Sequence, residues 1–249
     1  MRYFIKLSYN GFHFKGWQKQ KNNKLTIEEE IENKISIILN KPINLIGASR
    51  TDSGVHAKLM FAHFDYNNTI NKKKFLYKIN LLISSYIIIY DLFKVKNNVH
   101  ARFSAIYRIY KYIIGYKKNP FYKNLYWYWK YKNKLNINLM NKAINIIINR
   151  KNFILFSTTN KKLKNYNCNI YYAYWNKKNK YIYFIIKSNR FLRKMVRFII
   201  SLCIEIGLNK ITIYDLKNKI KKKKIFFNIN IPPYGLYLKK IKYNKNIFL

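Results

Sequence analysis

Apolar and polar residues alternate with period two along residues 2–9 (RYFIKLSY), the pattern of a strand with one buried face. A glycine-punctuated loop, residues 10–20 (NGFHFKGWQKQ), follows. Thr26 then precedes Ile27-Glu28-Glu29-Glu30, which predicts a capping box with Thr26 at the N-cap and Glu29 three positions on. These acids lie at the positive end of the helix dipole, so Glu28, Glu29, Glu30 and Glu32 are read as structural. The helix is expected to run to about Leu39. Residues 43–46 and 60–66 read as strands on either side of a polar turn, 72–83 as a helix, and 87–95 as a strand.

The second half repeats the alternation. Residues 106–116 read as a long strand, with Tyr and Arg alternating against Ile. A helix is expected over 138–149 and a hairpin over 170–175 and 181–187. The strongest helical pattern covers 191–207, with Leu192, Met195, Val196, Ile199, Cys203 and Ile206 at helical spacing. A short helix starts at Thr212, the lysines of 221–224 read as a solvated face, and Pro232-Pro233 break the chain before a last strand at 235–241. The order β-α-β-β-α-β, then β-α-β-β-α-β, predicts an α+β protein in two halves, 1–103 and 104–249. No low-complexity linker separates them, so they are expected to pack together and share a cleft.

Charge changes the picture. Fifty Lys and Arg stand against nine acids, a formal net charge of +41 among 249 residues. Such a balance points to a polyanionic partner and speaks to association rather than fold. Lysine alone is a weak signal here, because Lys, Asn, Ile, Tyr and Phe all have codons made mostly of A and T. Arginine is more telling: there are eight, and Arg50, Arg102, Arg108, Arg190, Arg193 and Arg197 fall in three short stretches. Clustering of a rare residue suggests that its bidentate fork is needed there. Two cysteines and four histidines show no metal spacing and no disulfide framework, which suggests a reduced compartment. The opening residues lack the apolar stretch of a signal peptide, and no apolar run is long enough to span a bilayer. A soluble protein is therefore expected.

Four stretches carry candidate chemistry. The 10–20 loop offers Phe12, His13, Phe14 and Trp17 for base stacking and Gln18, Lys19 and Gln20 for hydrogen bonds; it equally reads as an aromatic turn capping a core. Residues 47–57 (GASRTDSGVHA) place Asp52, one of only four aspartates, between Arg50 and a Ser53-Gly54 step, with His56 beyond. That turn reads either as a local Arg50–Asp52 ion pair or as one acid presented beside a fixed cation. On the 106–116 strand, period two puts Arg108, Tyr110 and Tyr112 on one face, a core with polar tips or a stacking platform. Finally, Arg190, Arg193, Lys194 and Arg197 form a helical stripe at i, i+3, i+4, i+7. They crowd a helix start, where the dipole disfavours cations and calls for an anion nearby.

In this order the four stretches resemble the tRNA pseudouridine synthase A family, from Tyr9 to about Leu238. Tyr9, Gly11, Gly16, Trp17, Gln18 and Gln20 match its opening motif. Residues 50–57 match its Arg-Thr-Asp-x-Gly-Val-His-Ala, with Ser49 where Gly is usual. Residues 100–105 (HARFSA), Tyr110 and Tyr112, residues 191–197 (FLRKMVR) and 235–238 (GLYL) match its later motifs. The chain departs at Ile109 and Cys168, where Arg is usual, and both changes are expected to thin the basic surface locally.

The resemblance implies two ferredoxin-like halves with antiparallel or mixed sheets, packed side by side around a central basic cleft. It implies an enzyme that isomerises uridine to pseudouridine in the tRNA anticodon stem-loop, without metal or cofactor. By resemblance Asp52 is the nucleophile or essential base, Arg197 pairs with it and Tyr110 stacks on the flipped base. Arg50, His56, Trp17, Gln18, Lys19, Arg102, Arg108, Arg190, Arg193 and Lys194 would bind RNA. A cytoplasmic (or organelle-stroma) homodimer sharing one tRNA is the expected form. Two other readings exist. A non-catalytic RNA-binding protein explains charge and aromatics but not Asp52 in its motif. An aspartic protease fits the Asp52-Ser53-Gly54 triplet, but Arg50-Thr51 precede it and the pattern is not all-β.

Overall fold

The computed structural model describes residues 1–21, 25–131, 134–158, 165–223 and 229–249. In chain order its elements are β1 (Arg2–Tyr9), α1 (Ile27–Leu39), β2 (Ile46–Gly47), β3 (His56–Asp65), α2 (Lys72–Leu82), β4 (Ile87–Val95), β5 (Tyr107–Gly115), β6 (Trp127–Tyr128), α3 (Ile137–Ile148), β7 (Ile170–Lys178), β8 (Tyr181–Ser188), α4 (Met195–Gly207), α5 (Ile213–Lys221) and β9 (Leu236–Lys242). The chain forms two compact units, one of Met1–Arg108 with Tyr237–Leu249, the other of Ile109–Leu236. Among the described residues no helix is long and apolar enough to cross a membrane.

In the first unit the strands run in the order β4-β1-β3-β9, with β2 on the side of β3. β1 lies antiparallel to both β3 and β4, while β3 and β9 pair in parallel through His56 with Tyr237 and Ala57 with Leu238. β1 is buried on both faces, so Tyr3, Phe4 and Ile5 are inaccessible in succession. On one face Tyr3 stacks on Phe64, which stacks on Phe75 of α2. On the other, Phe4 meets Tyr243 and Phe248 from the chain end. The return of β9 and its tail thus supplies part of that second cover, and His63 lies against Phe4 as well, at 5.8 Å between ring centroids.

In the second unit the order is β5-β8-β7, with β6 on β5. β7 and β8 form the expected hairpin, tightened to Asn179-Lys180, with Asn179 in the left-handed region. α3 packs on β7 and on α4. α4 is apolar nearly all round, and every residue except Arg197 and Phe198 is buried, as a helix in the middle of a core must be.

Three expectations need correction. Thr26 is the N-cap of α1, but its side chain makes no capping bond; its hydroxyl is buried without a partner. The first-turn N–H groups of Ile27 and Glu28 instead donate to the carbonyls of Gly16 and Trp17, at 3.1 and 3.0 Å. A capping box is made at Thr212 and Asp215 of α5, where both reciprocal bonds are present. The strand expected at 43–46 shrinks to Ile46–Gly47, because side chains of α1 capture the preceding N–H groups: Ile43 donates to Ser36 Oγ and Leu45 to Glu32. The helix expected from 191 begins at Met195, since Lys194 is left-handed (φ 60) and ends any helical path upstream. Of the basic run 221–224, residues 221–223 are exposed and Lys224 lies outside the described residues.

Two measurements check this packing. Thr212→Val should lower stability by about 0.5–2 kcal/mol, the loss of a made cap, while Thr26→Val should leave the urea midpoint unchanged or raised. His63 is buried, and desolvation first, then Arg2 and His100, lower its pKa from 6.5 to about 4. The unfolded chain thus binds a proton in that window that the folded chain refuses, so stability falls as pH falls from 6.5 towards 4. His63→Asn keeps an acceptor for the Ala101 N–H and should flatten that slope in chemical melts. An unaltered slope contradicts the assignment.

Candidate active site

Asp52 is half-buried in the connection between β2 and β3. Its turn is gripped by the 10–20 loop, main chain against main chain. Trp17 N–H donates to Thr51 O at 3.1 Å, and Gly54 N–H and Ser53 Oγ both donate to Phe14 O at 3.2 Å. Gly11 N–H donates to His56 Nδ1 at 3.1 Å, and the Tyr9 and Thr51 hydroxyls share a bond of 2.8 Å. Gly16 has φ +97, and a Cβ there would stand 2.8 Å from Thr51 O; a Cβ on Gly11 would meet Val55 O at 2.0 Å. No L side chain fits either place without moving the turn.

Trp17 anchors the same loop. It is fully buried, and Gly47 makes room for it, since a Cβ at 47 would stand 2.3 Å from the indole nitrogen. Its N–H donates to Glu28 Oε1 at 2.9 Å, while Gln18 Nε2 and Lys19 N–H donate to Glu28 Oε2 at 2.6 and 2.8 Å. Burial pushes the Glu28 carboxyl pKa up, and the Lys19 and Trp17 N–H groups pull it back. Trp17 therefore presents no face to a base, contrary to the stacking role expected of it. Phe14 is buried as well, whereas Phe12 and His13 are exposed. His56 is buried against Tyr237, with ring centroids 4.7 Å apart, and is spent on the loop. Lys19 is exposed and pairs with Glu32 at 2.8 Å.

Arg50 is exposed and borders a pocket of about 460 Å³ in the first unit, together with Gln18, Asn44, His100, Arg102 and Phe103. Arg108 does not join it. Its guanidinium is buried and donates to the carbonyls of Ala48, at 3.0 Å, Ala105 and Arg102. It staples the 47–50 segment to the 102–105 loop, a structural use where RNA contact was expected.

In the second unit Tyr110 and Tyr112 lie on the buried face of β5. Tyr110 meets Phe191 edge-on at 5.1 Å. Tyr112 donates to Pro232 O at 2.9 Å, and burial holds its phenol well above the ordinary pKa. Arg190, Arg193 and Lys194 precede α4, with Lys194 at its N-cap; Arg193 and Lys194 are exposed, where water screens their repulsion from the helix dipole, and Arg190 is half-buried. Arg197 alone stands in the first turn. It donates from Nε and Nη2 to Ile231 O, at 3.0 and 2.6 Å, and from Nη2 to Asn230 Oδ1 at 3.3 Å. The expected stripe is thus one positioned guanidinium and three flanking cations. Cys168 is buried, with its thiol pushed up to about 11 by desolvation. Among the described residues no three His, Cys, Asp or Glu side chains gather as a metal requires.

A half-exposed carboxylate in a rigid turn, two residues along the chain from an exposed arginine, can act as a nucleophile or base toward a polyanionic substrate. A family model described as tRNA pseudouridine synthase matches residues 149–244. Over nearly its whole length the chain is similar to proteins named tRNA pseudouridine synthase A. That of Azobacteroides pseudotrichonymphae genomovar. CFP2 is 41% identical over 248 residues, covering 99% of this chain and 98% of the relative. That of Parabacteroides distasonis is 37% identical over 249 residues, with the same coverage. That of Malacoplasma penetrans is 35% identical over 240 residues, covering 96% and 98%. The chain belongs to the tRNA pseudouridine synthase A family.

The grip on the Asp52 turn has a measurable consequence. Gly16→Ala combines a disfavoured left-handed backbone with overlap on Thr51 O, and should lower the unfolding free energy by about 1–3 kcal/mol in urea melts. A midpoint equal to that of the parent chain would show the loop and the turn to be independent.

Proposed function

We propose that this chain converts uridine to pseudouridine in the anticodon stem-loop of tRNA. Family membership carries the reading, and the rigid mounting of Asp52 supports it. The N1–C1′ bond of the target nucleotide breaks, the uracil turns, C5 bonds to C1′, and the C5 proton leaves as N1 gains one. No electron is gained or lost overall. Asp52 is the nucleophile or essential base of this exchange. Arg197 is the cation that keeps it ionised and oriented, and its anchored fork suits that task. Tyr110 receives the extruded base and assists proton removal at C5. Arg50, Arg102, Arg190, Arg193, Lys194 and Lys19 engage phosphates, a use to which half-buried or exposed cations are suited.

The finer architecture belongs to the same reading. The first unit has the element order β-α-β-β-α-β and the strand order β4-β1-β3-β2, which supports a ferredoxin-like half. Action as a cytoplasmic homodimer on one tRNA is the proposed working form. Binding without catalysis leaves the mounting of a scarce acid unexplained.

Purified protein incubated with unmodified tRNA transcripts should place pseudouridine in the anticodon arm, read by chemical mapping. Asp52→Asn keeps the shape and removes the charge. Turnover should fall by about a thousandfold or more while tRNA affinity stays within about threefold. Arg197→Lys, which keeps charge and loses the fork, should lower turnover in the same assay with affinity preserved. Normal turnover by Asp52→Asn would remove it from the chemistry.

A further inference from the structure

The pocket of about 460 Å³ in the first unit is lined by Arg50 but not by Asp52, although the two lie two residues apart in the turn. At its mouth the chain holds a phenylalanine outward: Phe103 is 76% exposed. This is not a loose loop tip. His100 N–H donates to Ser104 Oγ and Ser104 N–H returns to His100 O, at 3.0 and 2.9 Å. The N–H groups of Arg102 and Phe103 both point at His100 Nδ1, at 3.0 and 3.4 Å. That leaves the imidazole proton on Nε2. The His100 ring then backs Phe103, with centroids 4.4 Å apart, and the Arg102 guanidinium lies 5.7 Å from the Phe103 ring centre. A closed turn so bonded fixes an apolar ring in water, which neither the core nor the turn requires.

The surrounding chemistry narrows the occupant. The acids of the pocket, Glu28 and Glu32, are turned to Trp17, Gln18, Lys19 and the Leu45 N–H. Arg50 and Arg102 add fixed positive charge, and Asn44 and Gln18 supply amides. An aromatic platform, two guanidiniums and amides within a few hundred cubic ångströms suit an unpaired nucleotide: ring on ring, phosphate on arginine, base edge on amide.

We propose that this pocket is a second nucleotide subsite, in which Phe103, backed by His100, stacks an unpaired base of the tRNA next to the uridine that reacts, while Arg50 and Arg102 hold its phosphate. The proposal rests on the tRNA-modifying reading above. Phe103 is a positioning residue here and touches no reacting atom.

The test uses the full chain and tRNA transcripts under single-turnover conditions. Phe103→Leu should weaken tRNA binding by about ten- to a hundredfold, the size of one lost stack, and Phe103→Trp should stay within about threefold of the parent. Transcripts with a single abasic nucleotide, scanned through the anticodon arm, should contain one position where the parent chain loses as much as Phe103→Leu loses on intact tRNA. Phe103→Leu should lose nothing more on that transcript. Parent-like binding by Phe103→Leu, or independent losses at every abasic position, overturns the subsite. If the parent chain forms no pseudouridine in intact tRNA, the functional reading fails instead, and the two failures are told apart by that control.

Discussion

Two glycines, Gly11 and Gly16, bring the 10–20 loop so close to the main chain of residues 51–55 that any Cβ would overlap a carbonyl. The placement of Asp52 depends on that approach. Hydrogen bonds from Trp17, Gly54 and Ser53 close the seam, and the buried Trp17 ring prevents the loop from lifting. Removing so large a buried ring from a core costs about 3–5 kcal/mol, so the loop is tied down by more than its polar contacts. A carboxylate held by backbone rather than by its own flexible side chain is a suitable mount for chemistry that tolerates little misplacement.

Charge is distributed to the same end. With only nine acids in the chain, Glu28 is placed inside the loop, where burial alone would disfavour its ionised form. Three N–H donors converge on it and offset part of that penalty. Glu32 and Glu30 are used likewise, on Leu45 and Ser84 main-chain N–H groups. Asp65 pairs with Arg2, Asp91 with Lys72, and Asp215 caps α5. These six acids bind the fold together locally and leave a strongly basic exterior for a polyanion. The arginines divide in the same way. Arg108 is consumed within the fold, Arg197 is held by the carbonyl of Ile231, and Arg50 and Arg193 face solvent.

The aromatic residues show why exposure matters more than type. Trp17, Phe14 and Phe103 all come from motif loops rich in polar neighbours, and nothing in their spacing ranks them. Trp17 and Phe14 turn inward, whereas Phe103 is held outward by the His100–Ser104 turn. Burial by a neighbour distant in sequence decides between core and contact surface, and here Gly47 is that neighbour for Trp17.

Contiguous sequence patterns located β1, β4 and β5, and likewise α1, α2 and α3, to within a residue or two, and located the β7–β8 hairpin with β7 running three residues further than expected, because those patterns are local. The motif around Asp52 and its family resemblance were equally legible, being contiguous strings. What the chain could not announce were events set by remote partners. β3 starts early because β9 pairs with His56 and Ala57. β2 is short because side chains of α1 take the N–H groups of Ile43 and Leu45 ahead of it, and the start of α1 is bonded by the Gly16 and Trp17 carbonyls rather than by the Thr26 side chain. α4 starts late because Lys194 adopts a left-handed backbone that periodicity does not register. Propensity and periodicity act over a few residues, whereas hydrogen-bond partners and close approach are shared between segments tens of residues apart, and only tertiary structure assigns them.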